Sequence, residues 1–165
     1  MYKRGFTLVE LLIVIGIIAV LAALAFVSLD PLARFQDSRN AQRSTDSAAV
    51  LNALRLDQVD NGGTHHANVA ALTVNRYYQI GEATTGCDTT CSTPSVTLQS
   101  SCVNLLYLID EGYIADIPID PSASGASSDM TGYYVYIYDS GQMAVGSCHE
   151  ELGSSSEIQP IEAAR

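Results

Sequence analysis

The sequence predicts an α+β fold, in which one long N-terminal α-helix packs against a small head built on an antiparallel β-sheet. Three observations support this prediction. The segment from Leu11 to Leu29 carries no charge, and the segment from Leu32 to Asp60 contains neither Pro nor Gly, so both suit a helix. Further along, the residues YYVYIY and QMAVG flank the turn DSG, an arrangement typical of a β-hairpin.

The first half of the long helix, residues 6–29, is predicted to span a membrane. At about 1.5 Å per residue it measures roughly 36 Å, more than the roughly 30 Å of a hydrocarbon core. Lys3 and Arg4 precede the span and Asp30 follows it, which places the N-terminus in the cytoplasm and the rest of the chain outside. A cleavable secretory signal is the alternative, but the apolar run exceeds the usual 7–15 residues and AFVSLDP is a poor cleavage site.

The second half, residues 30–61, is predicted to continue into the head as an amphipathic helix. Pro31 removes a backbone donor and clashes with the preceding turn, which predicts a kink or local unwinding between about Ser28 and Leu32. Asn61 and the two glycines after it end the helix. One face holds Arg39, Arg43 and Asp46, and another holds Ala48, Leu51 and Leu54. The apolar face is predicted to be the seat of the head.

Residues 62–152 are predicted to form the β-rich head, and residues 153–165 a polar, loosely ordered tail. Within the head, residues 72–80 are predicted to form a strand. Ser101 is predicted to cap a short helix over CVNLLYLIDE, which Gly112 closes.

The tyrosines of the predicted hairpin allow two interpretations. Side chains alternate between the two faces of a strand, so one row packs on the long helix and the other is half exposed. A half-exposed row of tyrosines is either ordinary sheet packing or a stacking platform for bases or sugars. The alternation favours ordinary packing.

The charge and the motifs exclude several classes of protein. The 165 residues carry a net charge of -10, and the chain after Val59 holds thirteen acidic residues but only two basic ones. A chain of this charge is not typical of nucleic-acid binding, so no direct nucleic-acid partner is predicted, and the simplest role of the acidic surface is solubility. No GxSxG, HExxH or glycine-rich phosphate loop is present, so no enzyme is predicted.

The segment GFTLVELLIVIGIIAVLAALA starts with Gly5 and Phe6, places Glu10 four residues later and continues as an unbroken apolar helix. This order resembles the N-terminus of type IV pilins and of the pseudopilins of type II secretion. In that family a membrane peptidase cuts after the glycine on the cytoplasmic side and methylates the new N-terminal amine. The resemblance implies that residues 1–5 are a leader, that cleavage falls between Gly5 and Phe6, and that Phe6 is methylated.

Cleavage also offers a partner for Glu10. A carboxylate at bilayer depth costs about 2.5–3.5 kcal/mol on insertion scales, and the uncut chain offers Glu10 no obvious partner. Removing the leader creates a cationic amine on Phe6, within about one helical turn of Glu10. In a bundle of identical subunits, Glu10 of one copy can neutralise Phe6 of the next and set the register of assembly. The alternative is a Glu10 that snorkels to the interface or pairs with its own amine.

A second stretch, LIDEGYIADIPIDP followed by GYYVYIY, resembles the head of the same family and extends the resemblance to about residue 150. In secretion pseudopilins the loop after this stretch can hold a calcium ion. Here the loop DPSASGASSDMTG offers Asp120 and Asp129 beside hydroxyls and carbonyls, and calcium takes about six to eight oxygen ligands. With two carboxylates only, a solvated loop is favoured over a calcium site, and no other cofactor is predicted.

The four cysteines all lie in the predicted head, as expected of disulfides in an oxidising compartment. They are Cys87, Cys91, Cys102 and Cys148. Three connectivities are open, and a bond from Cys148 to the earlier region would tie down the last strand of the predicted hairpin. A zinc site is the alternative, with His65, His66 and His149 as further ligands, but the spacing of a zinc ribbon is missing.

The resemblance implies a structural subunit. It would be a single-pass prepilin of the cytoplasmic membrane, with its N-terminus inside, that later joins a cell-surface filament used in adhesion, motility or DNA uptake. The implied partners are a prepilin peptidase, an inner-membrane assembly platform with its ATPase, and further copies of the chain as a helical homo-oligomer. Two alternatives stay open: a pseudopilin of a type II secretion system, and a membrane-anchored binding module with an acidic head.

Overall fold

The computed structural model describes residues 5–89, 91 and 96–164. It confirms the α+β fold, with a long helical segment at the N-terminus and a small antiparallel sheet. The helices are α1 (Leu8–Leu29), α2 (Pro31–Asp60), α3 (Ala67–Ala70) and α4 (Tyr107–Asp110). The strands are β1 (Tyr77–Gln79), β2 (Tyr133–Ile137), β3 (Met143–Ser147) and β4 (Glu162–Ala164).

The long helical segment is interrupted at Asp30, which adopts a left-handed conformation with φ 35° and ψ 74°. Pro31 begins α2, where its missing N–H costs nothing because the first N–H groups of a helix have no partner within it. The Asp30 side chain caps the new helix by accepting a hydrogen bond from the Ala33 N–H at 3.3 Å. The predicted interruption at Pro31 is therefore confirmed, and its form is a second helix start with its own N-cap.

Helix α1 contacts almost nothing else in the chain. Its side chains are exposed at every position from Leu8 to Ser28. Within the described part of the chain, the helical segment that begins with α1 is the one segment long and apolar enough to cross a membrane. An apolar surface of this size is stable only against lipid or against other apolar helices.

The sheet has the strand order β1-β2-β3-β4, and each neighbouring pair is antiparallel. Val135 in β2 lies opposite Tyr78 in β1 and Val145 in β3. The predicted hairpin is confirmed as β2 and β3, and its turn uses Gly141 at φ 78°. Strand β4 pairs with β3, for example Ala164 with Ala144. The prediction of a loosely ordered tail over residues 153–165 is therefore wrong for β4, which completes the sheet.

The core lies between α2 and the inner face of the sheet, where α2 packs against β3 and β4. Leu51 and Leu54 are buried as predicted, whereas Ala48 is only partly buried. From β2 the alternating residues Tyr133, Val135 and Ile137 face this core. The apolar face of α2 is thus the seat of the head.

Two elements of the head are shorter than predicted. The strand expected over residues 72–80 is reduced to β1, because Asn75 just before it is left-handed at φ 59°. The helix expected from residue 102 starts at Tyr107, and Ser101 does not cap it. Val103 is instead held in extended backbone, since its N–H donates to the Gln79 carbonyl at 2.8 Å. Tertiary pairing at Val103 therefore overrides the local helical pattern.

Candidate functional site

The first turn of α1 holds a reciprocal hydrogen-bond pair between Thr7 and Glu10. The backbone N–H and the hydroxyl of Thr7 both donate to Oε2 of Glu10, each at 2.8 Å. The Glu10 N–H donates in return to the Thr7 hydroxyl oxygen at 3.2 Å. This is a capping box, which satisfies N–H groups that the helix leaves without a partner. The prediction that the uncut chain offers Glu10 no obvious partner is therefore wrong. The Thr-x-x-Glu spacing is the sequence pattern that indicates this capping box.

The capping box leaves part of the Glu10 carboxylate unused. Oε1 of Glu10 makes no hydrogen bond to any residue that the structure describes. Glu10 is also exposed, so this oxygen is open to a donor from outside the chain. Electrostatic attraction to a cation at this position would be strong in an apolar medium.

The predicted cleavage site lies just before α1. Gly5 and Phe6 are exposed and belong to no helix or strand. No described atom would lie within 4 Å of a Cβ at Gly5. The bond between Gly5 and Phe6 is thus accessible in non-helical backbone, which is the form of chain that a peptidase needs. Of the predicted leader, residues 1–4 lie outside the described residues.

A second polar site joins α2 to the head around Arg43, whose side chain is fully buried. Its Nε and Nη2 atoms donate to the two carboxylate oxygens of Asp120 at 2.8 and 3.0 Å. The remaining donors go to Asn40, Glu151 and Ser122 at 2.9, 2.9 and 2.7 Å. All five N–H donors of the guanidinium are therefore used, which is the condition for burying it at low cost.

Arg39 completes this site, and we call Arg39, Arg43, Asp120 and Glu151 the arginine cluster. Arg39 makes a two-pronged ion pair with Glu151, at 2.6 Å from Nε and 2.5 Å from Nη2. The Asn40 side chain holds the Glu151 backbone, accepting from its N–H and donating to its carbonyl at 3.1 and 2.7 Å. The chain after β3 is thus fastened to the N-terminal half of α2.

The cluster keeps both of its carboxylates ionised. Hydrogen bonds from Arg39 and then Arg43 lower the pKa of Glu151 to about 2. Burial raises the pKa of Asp120, but hydrogen bonds from Arg43 and from the Ser122 backbone outweigh burial and leave that pKa below its ordinary value. A group whose pKa falls on folding stabilises the fold above its unfolded pKa, and this stabilisation is lost as the pH falls towards the folded pKa.

We expect the head to lose stability on acidification between about pH 4.5 and pH 2, because Glu151 has an ordinary pKa of 4.5 and a folded pKa of about 2. Glu151→Gln should lower the stability at pH 7 by about 1–2 kcal/mol and should flatten the pH dependence over this window. Thermal unfolding of the full chain in detergent, followed by circular dichroism from about pH 2 to pH 7, measures both effects. A variant with the same acid sensitivity as the wild type would contradict the assignment to Glu151.

The cysteines form two pairs at disulfide distance, Cys87 with Cys102 and Cys91 with Cys148. Their Cα atoms lie 5.4 and 4.6 Å apart, within the usual range for disulfides. The second pair ties the chain after β3 to the earlier loop, one of the arrangements that the sequence left open. Because both pairs together use all four cysteines, the zinc alternative loses its thiolate ligands.

A calcium site at Asp120 and Asp129, which the sequence favours less than a solvated loop, stays an untested alternative. Both oxygens of Asp120 already accept from Arg43, and Oδ1 also accepts from the Ser122 and Ala123 N–H groups. Asp129 is exposed. In the described part of the chain, no three His, Cys, Asp or Glu side chains are grouped so that they could hold a metal ion. A calcium ion at Asp120 would have to compete with a buried guanidinium.

Fold and sites together define a class: a protein anchored by one apolar N-terminal helix, with an accessible Gly-Phe bond before the helix and a small disulfide-bonded head. In agreement, residues 1–26 match the family model of the prokaryotic N-terminal methylation motif, the class III signal peptide of type IV pilins and pseudopilins. The motif supports a type IV pilin-like or pseudopilin-like precursor, and it points to a structural protein rather than an enzyme. No curated protein and no solved structure matches the chain.

Proposed function

We propose that the chain is a prepilin, the precursor of a subunit of a type IV pilus-like filament. A prepilin peptidase removes residues 1–5 and methylates the amine of Phe6, and copies of the mature chain then assemble through α1. The observation that carries this proposal is the methylation motif over residues 1–26, joined to a helix whose side chains the rest of the chain leaves uncovered.

The exposure of α1 supports a role in assembly. Before assembly the helix spans the cytoplasmic membrane with its N-terminus inside, and lipid covers its surface. On assembly, α1 helices of neighbouring copies cover one another and form the apolar core of the filament. The apolar surface of α1 is therefore covered in both states, so a subunit can leave the membrane without exposing α1 to water.

Glu10 sets the position of each copy against the next. Thr7 occupies Oε2 of Glu10, and Oε1 is left to accept the methylated amine of Phe6 from a neighbouring copy. The two charges neutralise one another inside the apolar core, where an unpaired charge is costly. Only one stagger between neighbouring α1 helices brings these groups together, so the pair selects the register of the filament.

The head suits a surface that is exposed outside the cell. The arginine cluster fastens α2 to the loops on either side of the β2–β3 hairpin, through Asp120 before it and Glu151 after it. Two disulfides fix the loop that precedes β2 and the chain after β3. Outside the cell, the filament serves adhesion, motility or DNA uptake. Its assembly requires an inner-membrane platform and a cytoplasmic ATPase.

Electron microscopy of the cell surface with antibodies against the head tests the proposal. We expect thin surface filaments labelled along their length, and their loss when the gene for this chain is deleted. Unlabelled or absent filaments together with a defect in protein secretion would instead indicate a type II secretion pseudopilin. If a Gly5→Val chain that keeps its leader still supports adhesion, motility or DNA uptake in full, the chain is instead a membrane-anchored binding module.

A further inference from the structure

A small apolar pocket opens at the end of β1 that leads into Ile80. Ile80 and Leu105, which are buried, and Ile117, which is half-buried, form much of its wall. Its volume is about 60 Å³, room for a few water molecules or one small apolar side chain. Sites for small molecules start at roughly 300 Å³, so a side chain is the better fit.

The rim of the pocket is both apolar and acidic. Leu106 and Ile119 are apolar but are 38% and 45% exposed. Glu82 and Asp116 add two exposed carboxylates to the same rim. Neither carboxylate makes a hydrogen bond or an ion pair with a residue that the structure describes. The pocket therefore suits an apolar side chain that has a cation beside it.

The chain offers such a pair at the other end of β1. Val74 is 43% exposed, and Arg76 is exposed as well. Asn75 between them is left-handed at φ 59°, and its N–H donates to the Ile137 carbonyl at 2.7 Å. This hydrogen bond fixes the loop to the end of β2. We call Val74 and Arg76 the Val-Arg knob.

Arg76 is the basic residue that the head can place at a contact between copies. It is the only Lys or Arg between Val59 and Arg165 in the sequence. Among the described residues it makes no hydrogen bond and no ion pair. The chain carries a net charge of -10, so neighbouring copies repel one another unless a cation lies at the contact.

The pocket and the Val-Arg knob lie at opposite ends of the sheet, so a copy cannot fill its own pocket. Thr131, just before β2, lines the pocket, whereas the knob is fixed to Ile137 at the last residue of β2. A contact between two different surfaces joins copies head to tail, and it continues into an open helical assembly unless the rotation closes a ring. A filament of copies with parallel α1 helices can use a contact of this kind.

Size and charge favour the Val-Arg knob over other occupants. An anionic partner would meet the carboxylates of Glu82 and Asp116. Phe35 is also an exposed apolar residue beside an arginine, but its ring needs more room than the side chain of Val74. In a filament the neighbouring copy is present at a high effective concentration, so it competes well against any free partner.

We propose that the pocket takes Val74 from a second copy of this chain. Arg76 of that copy then pairs with Glu82 and Asp116 on the rim. This contact between heads rests on the proposed function, because it is the filament that aligns the copies. It adds a second, solvent-facing contact to the packing of α1 helices.

Charge reversal on both sides of the contact tests the proposal, with the filament yield from sheared cells as the measurement. Arg76→Glu should lower the yield at least about fivefold, because a third acid then faces the two rim carboxylates. Glu82→Lys/Asp116→Lys should lower it as much. The three changes combined should return the yield to within about twofold of the wild type, because the charges pair again with their signs exchanged.

Two further variants separate the contact from general effects. Asp88→Lys/Glu157→Lys is the matched control, because it changes the net charge equally at two exposed acids that do not line the pocket. Its yield should stay within about twofold of the wild type. Val74→Phe should lower the yield as Arg76→Glu does, since a phenylalanine ring does not fit the pocket. Immunoblots of the membrane fraction should show equal amounts of every variant, because all the changed residues are exposed.

The outcomes separate this contact from the filament itself. A wild-type yield from Arg76→Glu, no recovery in the combined variant, or an equal loss in the matched control would overturn the contact and leave the filament in place. Absence of filaments from the wild type would overturn the proposed function and this contact with it. Should a reversal lower the amount of subunit in the membrane, Arg76→Gln and Asp116→Asn replace it, and each should lower the yield at least about twofold.

Discussion

Glu10→Gln should insert in the membrane and be cleaved normally but should fail to join filaments. Glutamine keeps the capping box, because its side-chain oxygen also accepts from the Thr7 N–H, but it removes the charge that would pair with the Phe6 amine of the next copy. At an effective dielectric constant of about 20 and a separation of about 4 Å, such a pair contributes about 4 kcal/mol. Its loss should raise the subunit concentration needed for assembly by more than about 100-fold.

Thr7→Ala is the matched control for this result. It removes the hydroxyl half of the capping box, at a cost of about 1 kcal/mol to the helix start, and keeps the Glu10 carboxylate. Filament yield, measured by shearing cells and quantifying the released subunit, should fall sharply for Glu10→Gln and little for Thr7→Ala. A wild-type yield from Glu10→Gln would show that Glu10 serves only as a helix cap.

Arg43→Met should destabilise the head by about 3–5 kcal/mol. Methionine fills much of the same volume, but it leaves the buried Asp120 carboxylate without its counter-charge. Thermal or chemical unfolding of the full chain in detergent measures the change. The variant should also lose the acid sensitivity that arises from the pairing of Asp120 with Arg43, whereas Glu151 should keep the part that arises from Arg39.

Two further variants isolate the cause. Arg34→Met removes an exposed arginine from the same helix, and its stability should change by less than about 0.5 kcal/mol. Adding Asp120→Leu to Arg43→Met should recover part of the lost stability, because no unpaired charge then remains buried. Equal stability of Arg43→Met and Arg34→Met would show that the buried pair contributes nothing.

The parts of the fold that the sequence predicts are those encoded by local patterns. The charge-free run that forms α1, the proline that starts α2 and the alternation in β2 each depend on residues close together in the chain. The N-terminal motif is local as well, and the family match at residues 1–26 covers the same residues. The capping box of Thr7 and Glu10 was equally readable, since its spacing is a known helix-start pattern.

The parts that were missed depend on contacts between distant residues. The helical pattern places Arg43 on a polar face, but its partners Asp120 and Glu151 lie 77 and 108 residues away, so its burial could not be inferred. Strand β4 is short, and its composition is that of a polar tail. It becomes a strand because it pairs with the free edge of β3. The short helix from residue 102 was overridden for the same reason, by the pairing of Val103 with a strand end.

The proposed assembly depends on cleavage after Gly5, because the charge pair between copies requires a free amine on Phe6. Intact-mass spectrometry of the protein recovered from its own cells tests it directly. We expect the mass of residues 6–165 with one added methyl group and with two disulfides. Recovery of the chain at the mass of residues 1–165, with the leader attached and no methyl group, would contradict it.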